Sequence, residues 1–151
     1  QVVMHTHTRA GMAVAGVKEG LLPISMFATT FHKRLAYHEY EGPSLFLDER
    51  ERLLDSLGEH KAMILKSHGL LTVGASVPAA FLRLYRLERA CQIQIDAGAA
   101  GTMDVLGDNT ATKSGDEIDG FADTFNDDGF GQLEFAAMMR TLDKTDSSYR
   151  D

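Results

Sequence analysis

The sequence is poor in cysteine, tryptophan and proline. Its 151 residues include one cysteine, no tryptophan and three prolines, and no apolar run approaches the roughly 18 residues of a membrane helix. Cys91 cannot form a disulfide within the chain, and no secretory signal is visible. These absences predict a protein that does not span a membrane and that works in a reducing, cytoplasmic setting.

Basic residues are also scarce relative to acidic ones. The chain has 15 Lys and Arg against 22 Asp and Glu, which gives a formal net charge of −7. Because binding to nucleic acids needs clustered Lys and Arg to neutralise phosphates, this balance argues against a nucleic-acid partner. The hydrophobic content of 44% is ordinary for a globular domain and is enough to build a buried core.

The chain opens on an apolar strand pattern and has no initiator methionine. Residues 1–8, QVVMHTHT, are β-branched and alternate with period two, which predicts a strand. Such a strand needs neighbours, so we expect the N-terminal part of the domain to be absent from this sequence. Thr8 is a candidate N-cap for a helix of small apolar residues at 9–17.

Strand and helix patterns alternate further along the chain. The predicted elements are a strand at 34–40, a helix at 48–58 with Asp48 as N-cap, strands at 62–67 and 70–73, and a helix at 77–97 capped by Ser76. The last helix carries an apolar stripe of Phe81, Leu84, Leu87, Cys91 and Ile95 and a polar face of Arg83, Arg86, Glu88 and Arg89. This alternation predicts an α/β layered domain.

The composition changes after residue 98. Between residues 101 and 130 there are eight acidic residues and one lysine, which predicts a mobile loop or tail with little burial. We therefore divide the chain into the C-terminal part of a domain at 1–98, an acidic segment at 99–131, and a C-terminal helix and tail at 132–151.

Three histidines form the most specific pattern. His5 and His7 are two apart on a predicted strand, so their side chains point to one face about 6.5–7 Å apart. Two imidazoles at this spacing can share one ion at about 2.1 Å each. His68 follows a buried strand and precedes Gly69, whose conformational freedom would let the ring project from the strand end. Three histidines with an open coordination position would describe a catalytic metal site, although two ordinary strand histidines fit the His5–His7 spacing as well.

Other titratable residues carry weaker signals. The stretch Tyr37-His38-Glu39-Tyr40-Glu41 contains usable acids and bases, but an edge strand with mixed polar faces explains it better. Arg9 fits the binding of a carboxylate or phosphate and a structural ion pair about equally well. Cys91 lies on the apolar stripe and is expected in the core.

Together these motifs resemble the class II aldolase/adducin family. The matching stretches are HTHTRAGMAVAG at 5–16, AYHEYEGP at 36–43, DERERLLDSLG at 48–58, AMILKSHGLLTVG at 62–74, RLERACQIQIDA at 86–97 and the tail at 135–151. The resemblance implies a three-layer αβα sandwich around a mainly antiparallel sheet, commonly in a homo-oligomer, typically a tetramer.

The resemblance also implies a function. His5, His7 and His68 match the positions that bind a divalent ion in this family, usually Zn²⁺, with Mn²⁺, Fe²⁺ or Co²⁺ as other candidates. Such an enzyme cleaves or forms a C–C bond, by aldol chemistry or decarboxylation, in a small hydroxylated substrate through a metal-stabilised enediolate. The family's catalytic acid lies upstream of the His-x-His motif, so the general acid/base stays unassigned, and Tyr37, His38 and Glu41 are only guesses for it.

Two other functions remain open at this stage. The first is an adducin-like module that binds actin and other cytoskeletal partners, although animal adducins have lost the metal ligands that are retained here. The second is a metal-binding scaffold without enzymatic activity.

Overall fold

The computed structural model describes residues 1–42, 49–124 and 129–150. Its strands are β1 (Val2–Thr6), β2 (Ala36–His38), β3 (Ala62–Leu65) and β4 (Gly69–Gly74). Its helices are α1 (Arg9–Ala15), α2 (Met26–Thr29), α3 (Glu49–Leu57), α4 (Val77–Ala100), α5 (Asp108–Asp123) and α6 (Gln132–Thr145). A 3₁₀ helix follows at Ser148–Arg150. None of the helices in these ranges is long and apolar enough to cross a membrane.

The four strands form one mixed sheet in the order β1-β4-β3-β2. The pairs β1–β4 and β3–β4 are antiparallel, and β2 runs parallel to β3. All four residues of β3 are buried, because this strand has neighbours on both edges and helices over both faces. The predicted α/β fold with a mainly antiparallel sheet is confirmed.

Helices cover both faces of the sheet and form two apolar cores. On the first face, α1 and α4 place Val14, Leu87 and Cys91 against Ile64 and Leu70. On the second face, α3 packs against β2. The core on the second face contains Ala36, Met63 and Leu65, with Leu53, Leu57 and Leu71 packed around it. The sheet therefore lies between two helical layers.

Local signals in the sequence position several helix ends. The Thr8 hydroxyl accepts a hydrogen bond from the Gly11 amide at 3.3 Å, and Ser76 caps α4 in the same way. Gly58 ends α3 with a φ of +52°. The proposed N-cap of α3, Asp48, lies outside the described residues.

The long helix α4 is less simply amphipathic than its sequence suggests. Leu87 and Cys91 are fully buried, and burial raises the pKa of the Cys91 thiol to about 12. Phe81 at the edge of the predicted stripe is half-buried and packs edge-to-face on Phe135 at 5.3 Å. The guanidinium groups of Arg83 and Arg86, assigned to the polar face, lie over the Phe130 ring.

The expectation of a loop or tail between residues 101 and 130 is wrong where α5 forms. Three of its carboxylates pair with bases: Asp116 and Asp119 with Arg34, and Asp108 with Lys33 at 2.7 Å. Exposed pairs of this kind contribute little free energy. The small inward residues matter more, because they allow α5 to pack closely on α2. They are Ala111, which is fully buried, and Gly115. The proposed division of the chain at 98/99 and 131/132 stays a prediction.

We predict that Gly115→Ala destabilises the protein although alanine favours helices. A Cβ at this position would lie 2.7 Å from the Thr29 carbonyl oxygen and 2.6 Å from Arg34 Nη1. The free energy of unfolding should fall by about 1–2 kcal/mol in urea titrations. Gly120→Ala on the same helix meets nothing within 4 Å and should stabilise by up to about 1 kcal/mol. Equal effects of the two changes would contradict the packing of α5 on α2.

Candidate metal centre

His5 and His7 come together at one end of β1. His5 pairs with Leu71 of β4, and Leu71 packs in the core on the α3 side, so the His5 ring projects from that face. His7 follows the last residue of β1 and keeps the alternation. The two ring centroids are 4.5 Å apart, and the two Nε2 atoms are 2.7 Å apart.

His68 joins this pair from the turn between β3 and β4. Its amide donates to the Leu65 carbonyl at 3.0 Å, and Ser67 has the left-handed backbone with a φ of +53°. The His68 ring centroid lies 4.9 Å from that of His5 and 4.7 Å from that of His7. One nitrogen from each of the three rings lies within 4.8 Å of the other two. The structure thus brings together the three histidines singled out by the sequence.

Gly69 is needed in this turn for a reason other than the one expected. Its φ is not positive, so backbone freedom does not explain the glycine. A Cβ at Gly69 would lie 2.3 Å from the Thr6 carbonyl oxygen and 3.3 Å or less from ring carbons of His5 and His7. The absence of a side chain allows β1 and the turn to approach closely enough for the three rings to meet.

Hydrogen bonding selects the ring nitrogen that His5 offers. The His5 Nδ1 atom lies 2.8 Å from the Leu70 carbonyl oxygen, which can only accept a hydrogen bond. The Nδ1 atom is therefore the protonated one in the neutral ring, and Nε2 keeps its lone pair toward His7. A backbone carbonyl on the remote nitrogen is a common way to orient a metal-binding histidine.

The electrostatics at His68 favour the neutral ring. Burial lowers the pKa of His68, and the neighbouring His5 and His7 lower it further, while Glu49 acts in the opposite direction. Metal ions bind neutral imidazole, so the lowered pKa favours the form of His68 that can act as a ligand.

The donor set fits a divalent transition metal. Among the described residues, His5, His7 and His68 are the one group of three or more potential ligands close enough to share an ion. Three imidazole nitrogens suit Zn²⁺ and its first-row neighbours, and a fourth position left open is typical of catalytic zinc sites. His5 and His7 are exposed and His68 is half-buried, so small molecules have access to the group.

A second polar cluster lies on the same side of the sheet. His38 is 6% exposed, and its Nδ1 atom is 2.9 Å from the Ser56 hydroxyl. Its Nε2 atom faces carboxylate oxygens of Glu49 at 3.6 Å and Glu41 at 3.8 Å. Glu49 at the start of α3 is buried and acts electrostatically on His68. Glu49 carries no signal in the sequence that marks it as part of a site, because only the fold brings the start of α3 near the β3–β4 turn.

Tyr37, the first residue of the Tyr37–Glu41 stretch, does not join this cluster. Alternation along β2 points Tyr37 away from His38, and its hydroxyl accepts a hydrogen bond from the Leu21 amide at 3.0 Å. Burial raises the pKa of Tyr37, and Lys66 lies over its ring. Tyr37 and His38 belong to β2, which lies at one edge of the described sheet, and residues 39–41 follow that strand.

The other candidates do not belong to the histidine group. His32 and His60 have charged neighbours in the sequence, which predicts solvated rings. His32 instead binds Asp108 at 3.0 Å and is half-buried, whereas His60 is exposed. Arg9 is exposed at the start of α1. Cys91 is in the core, as its place on the apolar stripe predicted.

Comparison with known proteins identifies the family. The model of the class II aldolase and adducin N-terminal domain matches residues 1–95. The chain therefore belongs to the class II aldolase and adducin family. Alpha-adducin of Rattus norvegicus is 39% identical over 155 residues, which cover 93% of this chain and 20% of that protein.

Solved structures share the fold. An aldolase II superfamily protein from Pseudomonas syringae superposes with a TM-score of 0.84 at 41% identity, over 99% of this chain and 59% of that one. L-fuculose 1-phosphate aldolase from Glaciozyma antarctica PI12 gives a TM-score of 0.64 at 29% identity, over 76% of this chain and 43% of that one. The chain thus spans less than two thirds of the length of each of these relatives.

We predict that Gly69→Ala separates β1 from the β3–β4 turn. The added methyl group cannot fit beside the Thr6 carbonyl oxygen, so the free energy of unfolding should fall by about 1–3 kcal/mol. Urea denaturation measures this change. Gly16→Ala is the control, because its Cβ would meet its nearest neighbour at 3.5 Å, an ordinary contact. A Gly69→Ala protein as stable as the Gly16→Ala protein would refute the close approach.

Proposed function

We propose that this chain belongs to a divalent-metal-dependent lyase that cleaves or forms a C–C bond in a small hydroxylated substrate. The convergence of His5, His7 and His68 is the observation that carries the proposal. Their nitrogens lie within 4.8 Å of one another and leave one side accessible. Membership of a family that includes aldolases supports the same reaction class.

The three histidines would hold the ion, with Zn²⁺ favoured and Mn²⁺, Fe²⁺ or Co²⁺ as alternatives. Such an ion would supply Lewis-acid polarisation of adjacent substrate oxygens and would offset the negative charge that aldol cleavage or decarboxylation develops on them. The chain's own contribution is orientation. The Leu70 carbonyl oxygen lies 2.8 Å from His5 Nδ1, accepts its hydrogen bond and so aims Nε2 at the site, while burial lowers the pKa of His68.

The substrate class follows from the family and from the open side of the site. The Glaciozyma relative is named for a sugar phosphate, so phosphorylated sugars are the first substrates to test. A small-molecule partner and assembly of the whole protein into a homo-oligomer, with a tetramer as the first expectation, belong to this proposal, as does a place in carbohydrate metabolism.

An adducin-like binding module is the second candidate, and the 39% identity to rat alpha-adducin favours it. The two functions make different demands on the histidines. A lyase needs all three as ligands, whereas attachment to actin needs none of them. Retention of all three histidines therefore supports the lyase. An inactive metal-binding scaffold would also need the three histidines as ligands, but it would turn over no substrate.

We predict that His68→Ala abolishes tight metal binding. Loss of one of three imidazoles should raise the Kd for Zn²⁺ at least about a hundredfold, measured by competition with a chromophoric chelator. His60→Ala is the matched control, because His60 is exposed and does not belong to the group. Wild-type protein that binds no Zn²⁺, Mn²⁺, Fe²⁺ or Co²⁺ would refute the proposed function.

Two assays on the full-length protein separate the candidate functions. The lyase predicts metal-dependent cleavage of at least one member of a panel of sugar phosphates and hydroxy acids, with activity lost in His68→Ala. The adducin-like module predicts co-sedimentation with filamentous actin, unchanged by that substitution. Metal binding with neither result would favour the inactive scaffold.

A further inference from the structure

His7 is the least constrained of the three histidines. His5 is held by the Leu70 carbonyl, and His68 by the hydrogen-bonded turn in which it lies. The β1–β4 ladder ends at the pair Thr6–Leu70, one residue before His7. Within the described part of the chain, the hydrogen bond of the His7 ring is to His5. The direction of this ring therefore depends on how the backbone beside it is fixed.

Thr8 provides that fixed point. Its carbonyl oxygen accepts from the Met12 amide at 2.9 Å, and its hydroxyl oxygen accepts from the Gly11 amide at 3.3 Å. These bonds tie the two-residue connection between β1 and α1 to the first turn of α1. Gly11 makes room for the hydroxyl, because a Cβ there would lie 2.7 Å from Thr8 Oγ1.

A carboxylate on α4 holds the same hydroxyl from the other side. Thr8 Oγ1 donates its proton to Glu88 Oε2. The second oxygen of Glu88 accepts from Gln92 Nε2 at 2.8 Å, and Arg89 donates to Gln92 Oε1 at 3.0 Å. Both oxygens of the Glu88 carboxylate therefore accept hydrogen bonds. The bond from Gln92 orients the carboxylate independently of Thr8.

This arrangement links the histidine group to the longest helix. Hydrogen bonds to a carboxylate are roughly twice as strong as neutral ones, and donation to Glu88 makes Thr8 Oγ1 a better acceptor for the Gly11 amide. The Glu88 carboxylate is half-buried and so loses part of its hydration. Its hydrogen bonds offset the free energy lost in this way. Because neighbouring side chains point to opposite sides of an extended segment, anchoring Thr8 toward α4 turns His7 toward the α3 side, where His5 and His68 lie.

We propose that Glu88 is a positioning residue for His7, acting through the Thr8 hydroxyl. This inference rests on the proposed metal site and goes beyond the three ligands themselves. Glu88 does not touch the ion or the substrate. It sets the direction of one ligand, as outer-shell groups do in other metal sites.

The test compares Zn²⁺ affinity across variants of the full chain. Glu88→Ala and Thr8→Val each remove the hydrogen bond and should raise the Kd about 10–100-fold. Thr8→Ser keeps the hydroxyl and should stay within about threefold of wild type. Asp96→Ala, which removes an exposed carboxylate from the same helix, is the control and should leave the Kd unchanged. The Glu88→Ala/Thr8→Val double variant should bind about as weakly as Thr8→Val alone, because Thr8→Val already removes the partner of Glu88.

Two further measurements distinguish positioning from a purely structural role. The Co²⁺-substituted protein should show an altered visible absorption band in Glu88→Ala and the wild-type band in Thr8→Ser. Thermal unfolding of the metal-free proteins reports on stability alone. A lowered Tm of metal-free Glu88→Ala with wild-type Zn²⁺ affinity and Co²⁺ spectrum would overturn the inference while leaving the proposed function intact. Failure of the wild-type protein to bind any of these ions would overturn both.

Discussion

The close approach of β1 to the β3–β4 turn is the constraint on which the site depends. At Gly69 there is no room for even one carbon atom beside the Thr6 carbonyl oxygen. This contact brings a turn from the centre of the sheet against an edge strand, and it places residues distant in the sequence around one point. The chemistry of the candidate site is a consequence of backbone packing, since the histidines meet only where the two chain segments do.

The sheet holds the β3–β4 turn in place next to β1. β3 is buried on both faces and is paired on both edges, with β4 on one side and β2 on the other. Alternation along β3 sends Ile64 into the core under α1 and α4 and Met63 into the core under α3. Two independently packed layers therefore fix the strand that ends next to His68, and the turn has little freedom to move away from β1.

Much of the fold could be predicted from the sequence because local signals and burial agree there. Thr8, Ser76 and Gly58 mark helix ends by their own hydrogen-bonding and conformational preferences. The His5–His7 spacing predicts two rings on one face, and the structure has them there. His68 is a third candidate from its place at a strand end, and the family resemblance strengthens its link to that pair, because no local rule relates residues so far apart in the chain.

The parts that could not be predicted depend on tertiary partners. The many acidic residues around α5 predict a solvated segment, yet the small residues Ala111 and Gly115 pack on the α2 side. A count of charges does not show which side of a helix the charged residues occupy. In the sequence, Glu88 and Arg86 look like exposed residues on the polar face of α4. In the structure, Glu88 accepts a hydrogen bond from Thr8, and Arg86 lies over the Phe130 ring. Composition describes a segment on average, whereas these contacts depend on the direction of single side chains.

The stacking of Arg83 and Arg86 on Phe130 has a consequence for how the C-terminal helix is attached. Their guanidinium carbons lie 4.9 Å and 5.3 Å from the centroid of the Phe130 ring. Phe130 comes two residues before the start of α6. Contacts between a cation and an aromatic face persist when salt screens ordinary ion pairs, because the flat groups also exclude water from one another. The contact of α4 with the residues just before α6 therefore depends less on ionic strength than the ion pairs formed by the carboxylates of α5.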